Sequence, residues 1–92
     1  MSSVDGTLAE RGKRYGEFEH NAETAQMLKA VLRAANGHGW SAMETDQRQA
    51  LDIICDKVAR IVCGDPDYVD NWHDIGGYAR LVETRLLRDA AS

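Results

Sequence analysis

The chain has 92 residues and a formal net charge of −4, which favours one small domain and disfavours a general nucleic-acid or membrane-surface role, since those roles need a basic surface. No apolar run approaches the length of a transmembrane helix, and the opening stretch MSSVDGTLAE lacks the basic-then-apolar pattern of a signal peptide. Cys55 and Cys63 lie about 12 Å apart on one predicted helix, too far for a disulfide. We therefore expect reduced cysteines and a cytoplasmic location.

The first part of the chain predicts one long helix preceded by weaker elements. We expect residues 1–6 to be disordered, residues 7–13 to form a short helix capped by Thr7, and RYGEFEHN (residues 14–21) to be an ordered loop. A long helix should follow from Asn21 to Asn36, because apolar residues recur there at helical spacing. These residues are Ala25, Leu28, Val31, Leu32 and Ala35.

Two further long helices are predicted in the second half. One should run from Asp46 to Cys63, and the next should open with GDPDY, where Asp65 suits the N-cap and Pro66 the first helical position. Residues 7–89 would form one domain, with residues 90–92 frayed. No strand pattern occurs, so the predicted fold is all-α, a compact bundle of three long helices plus a short N-terminal helix. Such a small domain often gains stability by association, so we expect a homodimer or homotetramer.

Carboxylates line one face of each of the last two predicted helices. These polar faces comprise Asp70, Asp74, Tyr78 and Arg85 on the third helix, and Asp52, Asp56 and Arg60 on the second. Oxygen ligands one turn apart suit Mg²⁺ or Mn²⁺ if the two helices pack as a hairpin. The alternative is a pair of solvated faces, with Asp56–Arg60 an ordinary i,i+4 ion pair and the acidic residues placed by the helix dipole.

Two adjacent glycines, Gly76 and Gly77, lie inside the third predicted helix. Each costs roughly 1 kcal/mol relative to alanine in a helix interior. They remove side chains beside Asp74 and Tyr78, which permits close approach of another helix or of a ligand.

Two stretches carry a resemblance to known proteins. RGKRYGEF and QRQALDIICDKVARIVCGDPDYVDNWHDIGGYARLVETRL resemble a family of small proteins of unknown function that is common in bacteriophage genomes, through an RYG segment, K-x-x-R-I and D-x-W-x-D-I-x-G-Y-A. The layout is more distantly similar to the MazG-like all-α nucleoside triphosphate pyrophosphohydrolases. Those enzymes hold Mg²⁺ with carboxylates on two adjacent helices, split a nucleotide between its α and β phosphates, and assemble as dimers or tetramers. Their E-x-x-E and E-x-x-D patterns are replaced here by D-x-x-x-D in both helices.

The distant resemblance implies a role for each matching residue. It makes Asp70, Asp74, Asp52 and Asp56 the metal ligands, with Asp52, Asp70 and Asp74 serving catalysis. Phosphate contacts would come from Lys57, Arg60, Lys13 and Arg14, and base stacking from Tyr15, Trp72 or Tyr78. The implied function is Mg²⁺-dependent hydrolysis of free (deoxy)nucleotides in a bacterial host cell, with Mn²⁺ as an alternative cofactor. Two other functions stay open: a binder that sequesters a nucleotide without turnover, and a structural helical module that binds a partner.

Overall fold

The computed structural model describes residues 2–35 and 39–92, and the side chains of residues 17–35 and 39–92. The described elements are the helices α1 (Ser2–Ala34), α2 (Gly39–Ala42), α3 (Thr45–Cys63) and α4 (Val69–Ala91). No strand occurs among these residues. The predicted all-α bundle of three long helices is thereby confirmed. Within the same residues, no helix combines the length and apolarity needed to cross a membrane.

Helix α3 lies at the centre and packs against both α1 and α4. On the α1 side, Thr24 Oγ1 lies 3.2 Å from Cys63 Sγ, whereas Asp52 near the middle of α3 pairs with Arg33. The earlier residue of α1 contacts the end of α3, and the later residue of α1 contacts its middle. The two helices are therefore antiparallel. The bridges from α3 to α4 follow the same antiparallel order. The molecule measures 65 × 27 × 19 Å, so in its thinnest dimension it is about two helix diameters deep.

The core of the single chain is small. Four apolar residues among those described are buried: Ala25, Ala50, Cys55 and Ala59. No large side chain in the described part of the chain is less than 2 % exposed. Small residues at the contacts let the helices approach closely, but they remove little apolar area from water. Burial raises the pKa of the Cys55 thiol, and both cysteines are free, as the predicted spacing requires.

The structure corrects the prediction for the N-terminal region. Helix α1 runs without a break from Ser2 to Ala34, so the loop predicted for residues 14–21 is wrong. That segment contains no proline and one glycine, and an existing helix extends at low cost because each added residue adds a backbone hydrogen bond. The predicted helix end at Asn36 lies outside the described residues. The division of the chain at residues 6 and 90 stays a prediction.

The start of the last helix is also corrected. Helix α4 begins at Val69 with Tyr68 as its N-cap, and the preceding GDPDY forms a turn. Asp65 Oδ1 accepts a hydrogen bond from the Asp67 backbone N–H at 2.9 Å, and the Tyr68 N–H donates to the Asp65 carbonyl at 3.2 Å. Pro66 holds the second position of this β-turn, which its fixed φ suits. Asp and Pro at these positions favour a helix start and a turn alike, and here the turn forms.

The beginning of α3 was predicted to within one residue. Its N-cap is Glu44, whose backbone N–H donates to Gln47 Oε1 at 2.8 Å. Just before it, the short helix α2 places the Trp40 ring against Arg33, whose guanidinium carbon lies 4.8 Å from the ring centroid. This cation–π contact joins α1 and α2 beside the Arg33–Asp52 bridge.

Candidate functional site

A charged cluster lies where α3 faces the first half of α4. Lys57 Nζ of α3 lies 2.9 Å from Asp74 Oδ2 of α4. The hydrogen bond from Lys57 holds the pKa of Asp74 below its usual value of 3.8, and the positive charges of Lys57, His73 and Arg60 act in the same direction. Asp74 is therefore ionised at neutral pH and paired with the Lys57 ammonium group.

Asp70 lies one turn before Asp74 on the same helix. The Tyr68 hydroxyl donates a hydrogen bond to Asp70 Oδ2 at 2.9 Å, and this bond to the carboxylate raises the pKa of Tyr68 above 10.0. The described partner of Asp70 is thus a neutral hydroxyl, so its negative charge is not cancelled by an ion pair. We call the group formed by Lys57, Arg60, Asp70 and Asp74 the α3–α4 charged cluster.

The donor set of this cluster fits Mg²⁺ that is shared with a phosphate. Mg²⁺ usually keeps several waters and is held by one or two carboxylates together with substrate phosphates. Asp70 and Asp74 supply such a pair, one helical turn apart. Within the described part of the chain, no three His, Cys, Asp or Glu residues come together as a metal cage, so a metal at this cluster would need oxygen ligands from a substrate or water.

The other two predicted metal ligands face α1 rather than α4. Asp52 pairs with Arg33 of α1 at 3.0 Å, and Asp56 pairs with Lys29 of α1 at 2.9 Å. The structure therefore separates the four predicted carboxylates into two pairs, one facing α1 and one on α4. Of the pair on α4, Asp74 is the carboxylate that contacts Lys57.

The residues predicted to stack on a base are in three different settings. Trp72 is 56 % exposed, and its indole N–H donates to the Pro66 carbonyl at 2.8 Å, which ties the turn to α4. Tyr78 is half-buried and lines a groove of about 340 Å³ with His73, Asp74, Gly77 and Leu81. Arg14 and Tyr15 lie on α1, in helix rather than in the predicted loop, and Lys13 precedes them on the same helix. The side chains of these three residues lie outside the described part.

The glycine pair faces open space within the described chain. A Cβ atom added at Gly76 or at Gly77 would meet nothing within 4 Å. Close packing against another described helix of the same chain therefore does not account for the two glycines. Gly77 lines the groove beside Asp74, so this position is open to approach from outside the described chain.

A cavity between α1 and α3 was missed by sequence reasoning. Its volume is about 420 Å³, and Phe18, Asn21, Gln26 and Arg60 are among the residues that line it. The first half of this wall lies in the segment predicted as a loop. A continuous helix would have placed Phe18, Asn21 and Ala25 on one side at spacings of three and four residues, so that spacing was the available signal.

Arg85 has a structural role rather than a place in the charged cluster. Its Nε and Nη2 atoms donate to the two carboxylate oxygens of Asp46 at 2.9 and 2.7 Å. Arg85 Nη1 also pairs with Asp89 at 3.2 Å. The guanidinium thus ties the start of α3 to the end of α4.

Taken together, these features define an all-α protein with a charged helix–helix cluster flanked by a groove and a cavity. The chain belongs to the family described as a domain of unknown function (DUF6378), whose model matches residues 4–85. This confirms the predicted membership in a family of unknown function. No curated protein and no solved structure matches the chain.

Proposed function

We propose that the protein is a Mg²⁺-dependent nucleotide pyrophosphohydrolase-like protein acting on free nucleotides at the α3–α4 charged cluster. The observation that carries this proposal is the Lys57–Asp74 pair at 2.9 Å, with Asp70 one turn before Asp74 on α4 and Arg60 one turn after Lys57 on α3. Carboxylates for a hard cation and cations for phosphate thus lie side by side. The reaction type, cleavage between the α and β phosphates, comes from the distant resemblance to MazG-like enzymes.

Each residue of the cluster has a distinct proposed role. Asp70 and Asp74 would hold the metal, and Mg²⁺ when bound would supply an activated water and stabilise charge developing on the phosphates. Lys57 and Arg60 would contact phosphate oxygens. Because Lys57 already pairs with Asp74, a cation taken up by that carboxylate frees the ammonium group for a phosphate.

The setting of this activity follows the same resemblance. We propose a protein of phage or prophage origin that acts in the bacterial cytoplasm as a homodimer or homotetramer. The net charge of −4 supports a free nucleotide over a nucleic acid, since polynucleotide binding relies on many phosphate contacts from basic residues.

A turnover assay with matched variants tests the proposal. Purified protein is incubated with ribo- and deoxyribonucleoside triphosphates in Mg²⁺ and separately in Mn²⁺, and products are resolved by ion-exchange chromatography. We expect a monophosphate and pyrophosphate from the wild type, and a loss of at least about 100-fold in Asp70→Asn and Asp74→Asn, because both lose a metal-binding charge. Glu83→Gln removes one charge from the opposite face of α4 and should retain full turnover. No product and no nucleotide binding would refute the proposal.

A binder without catalysis and a structural module are the competing functions. The structural module is favoured by the large apolar residues that α4 leaves exposed, such as Val69, Leu81 and Leu87. Thermal melting with and without nucleotide and Mg²⁺ separates the candidates. A binder gains several degrees in Tm without forming product, whereas a structural module shows no shift with any nucleotide.

A further inference from the structure

We infer that the cavity between α1 and α3 holds the nucleoside part of the bound nucleotide. This inference rests on the proposed function, because it takes the phosphates to lie at the α3–α4 charged cluster. The cavity has a volume of about 420 Å³, which falls within the range of small-molecule sites. We call it the α1–α3 cavity.

Arg60 connects the cavity to the charged cluster. It lines the cavity, and positions 57 and 60 are three residues apart, so they are neighbours on the surface of α3. Lys57, the other cation of the cluster, lies one turn earlier on α3. One ligand can therefore span both places, with its phosphates at Lys57 and Arg60 and its sugar and base directed towards α1.

The walls of the cavity suit a flat heteroaromatic ring. Phe18 is 67 % exposed, so its ring presents apolar surface on which a base can stack. Ala22 and Ala25 also line the cavity, and their small side chains leave space between the helices. A base stacked on the Phe18 ring would cover apolar surface that is exposed to water in the free protein.

Polar groups at the same walls can read the edge of a base. Asn21 and Gln26 each carry an amide with both donors and an acceptor, the groups that pair with base edges in nucleic-acid recognition. Glu17 and Asp56 line the cavity as well, and the charge of Asp56 is offset by its ion pair with Lys29 at 2.9 Å. The cavity thus offers a ring for stacking and amides for hydrogen bonding, with the Glu17 carboxylate as a further hydrogen-bond acceptor.

Binding measurements on the full-length chain separate the nucleoside contacts from the phosphate contacts. Isothermal titration calorimetry in Mg²⁺ compares nucleoside triphosphates with inorganic tripolyphosphate, which has no base. We expect Phe18→Ala to weaken nucleotide binding by about fivefold or more, the size of a lost base stack, and to leave tripolyphosphate binding unchanged. Phe18→Tyr keeps the ring and should bind like the wild type. Met27→Ala, an exposed apolar residue of α1 outside the cavity lining, is the matched control.

The outcomes distinguish this inference from the proposed function. If the wild type binds tripolyphosphate and nucleotides but Phe18→Ala and Asn21→Ala bind both as well as the wild type does, the nucleoside subsite is refuted and the phosphate site stands. If the wild type binds neither probe, both are refuted. If Phe18→Ala weakens both probes equally while its circular dichroism is unchanged, the cavity does not act on the base and the inference fails.

Discussion

At the residue scale, the clearest interaction between helices is the bridge from Arg85 to Asp46. Both carboxylate oxygens accept from the guanidinium, at 2.9 and 2.7 Å, and a two-point contact of this kind fixes the relative position of two helices better than a lysine could. It joins residues 39 positions apart. Periodicity placed Arg85 on the face of Asp70 and Asp74, but its long side chain instead reaches the first turn of α3.

The bridge predicts a measurable acid sensitivity. Hydrogen bonds from Arg85 lower the pKa values of Asp46 and Asp89 below 3.8, so the folded state favours their ionised forms. The resulting stability is complete above the unfolded pKa of about 4 and is lost as the pH falls through the lower folded pKa values. We expect the Tm to fall below about pH 4 in the wild type and less steeply in Arg85→Met. Thermal melts from pH 7 to pH 2.5 measure this, and parallel curves for the two proteins would contradict it.

At the element scale, helices were predicted correctly where burial of one face gives apolar residues a helical spacing. The prediction was wrong in the N-terminal half of α1, where the described side chains are exposed. Helix α3 packs on both neighbours, and its start was predicted to within one residue. The described residues 17–20 of α1 are all exposed, so no apolar stripe was required there and the segment read as a loop. Apolar residues recur at helical spacing only where one face of a helix packs against a neighbour. An exposed stretch of helix therefore lacks this pattern in its sequence.

For the candidate site, too, periodicity predicted only part of the arrangement of the carboxylates. Periodicity correctly placed Asp52 and Asp56 on one face of α3, and Asp70 and Asp74 on one face of α4. It could not show which neighbour each face meets. Asp56 forms an ion pair with Lys29 of α1, and Asp74 forms an ion pair with Lys57 of α3. The packing order of the helices, set by the whole fold, decided which carboxylates lie together.

The glycine pair of α4 gives a prediction at this scale. Alanine at Gly76 or Gly77 meets nothing within 4 Å, so each substitution should raise the free energy of unfolding by about 1 kcal/mol through helix propensity. Gly77 lines the groove beside Asp74, whereas Gly76 is not among the groove residues. We expect Gly77→Ala to weaken nucleotide binding several-fold and Gly76→Ala to leave it unchanged. Urea unfolding and calorimetry measure the two effects, and equal nucleotide affinities in the two variants would refute the assigned role of Gly77.

At the scale of the whole molecule, the described chain buries small apolar residues and leaves many large ones exposed. Four small side chains form the buried core of the described residues, while a groove of about 320 Å³ between α3 and α4 is lined chiefly by apolar side chains. Four of its lining residues are Leu51, Ile54, Ala79 and Val82. A chain with so little buried area gains stability when a second surface covers the groove. A second copy of the chain is always present at the same concentration as the first. We therefore expect a second copy to cover this groove.

The uncovered apolar groove predicts an oligomer whose stability depends on that groove. Light scattering coupled to size-exclusion chromatography should give the mass of a dimer or tetramer at micromolar concentration, and the Tm should rise with protein concentration because association stabilises only the folded chain. Leu51→Lys places a charge in the groove and should shift the mass towards the monomer and lower the Tm, since a buried unpaired charge opposes association. Val31→Lys, at an exposed position of α1 away from the groove, is the control and should leave the mass unchanged. A wild type that is a stably folded monomer, with a Tm independent of concentration, would refute the oligomer, and the exposed apolar residues would then have to serve a different partner.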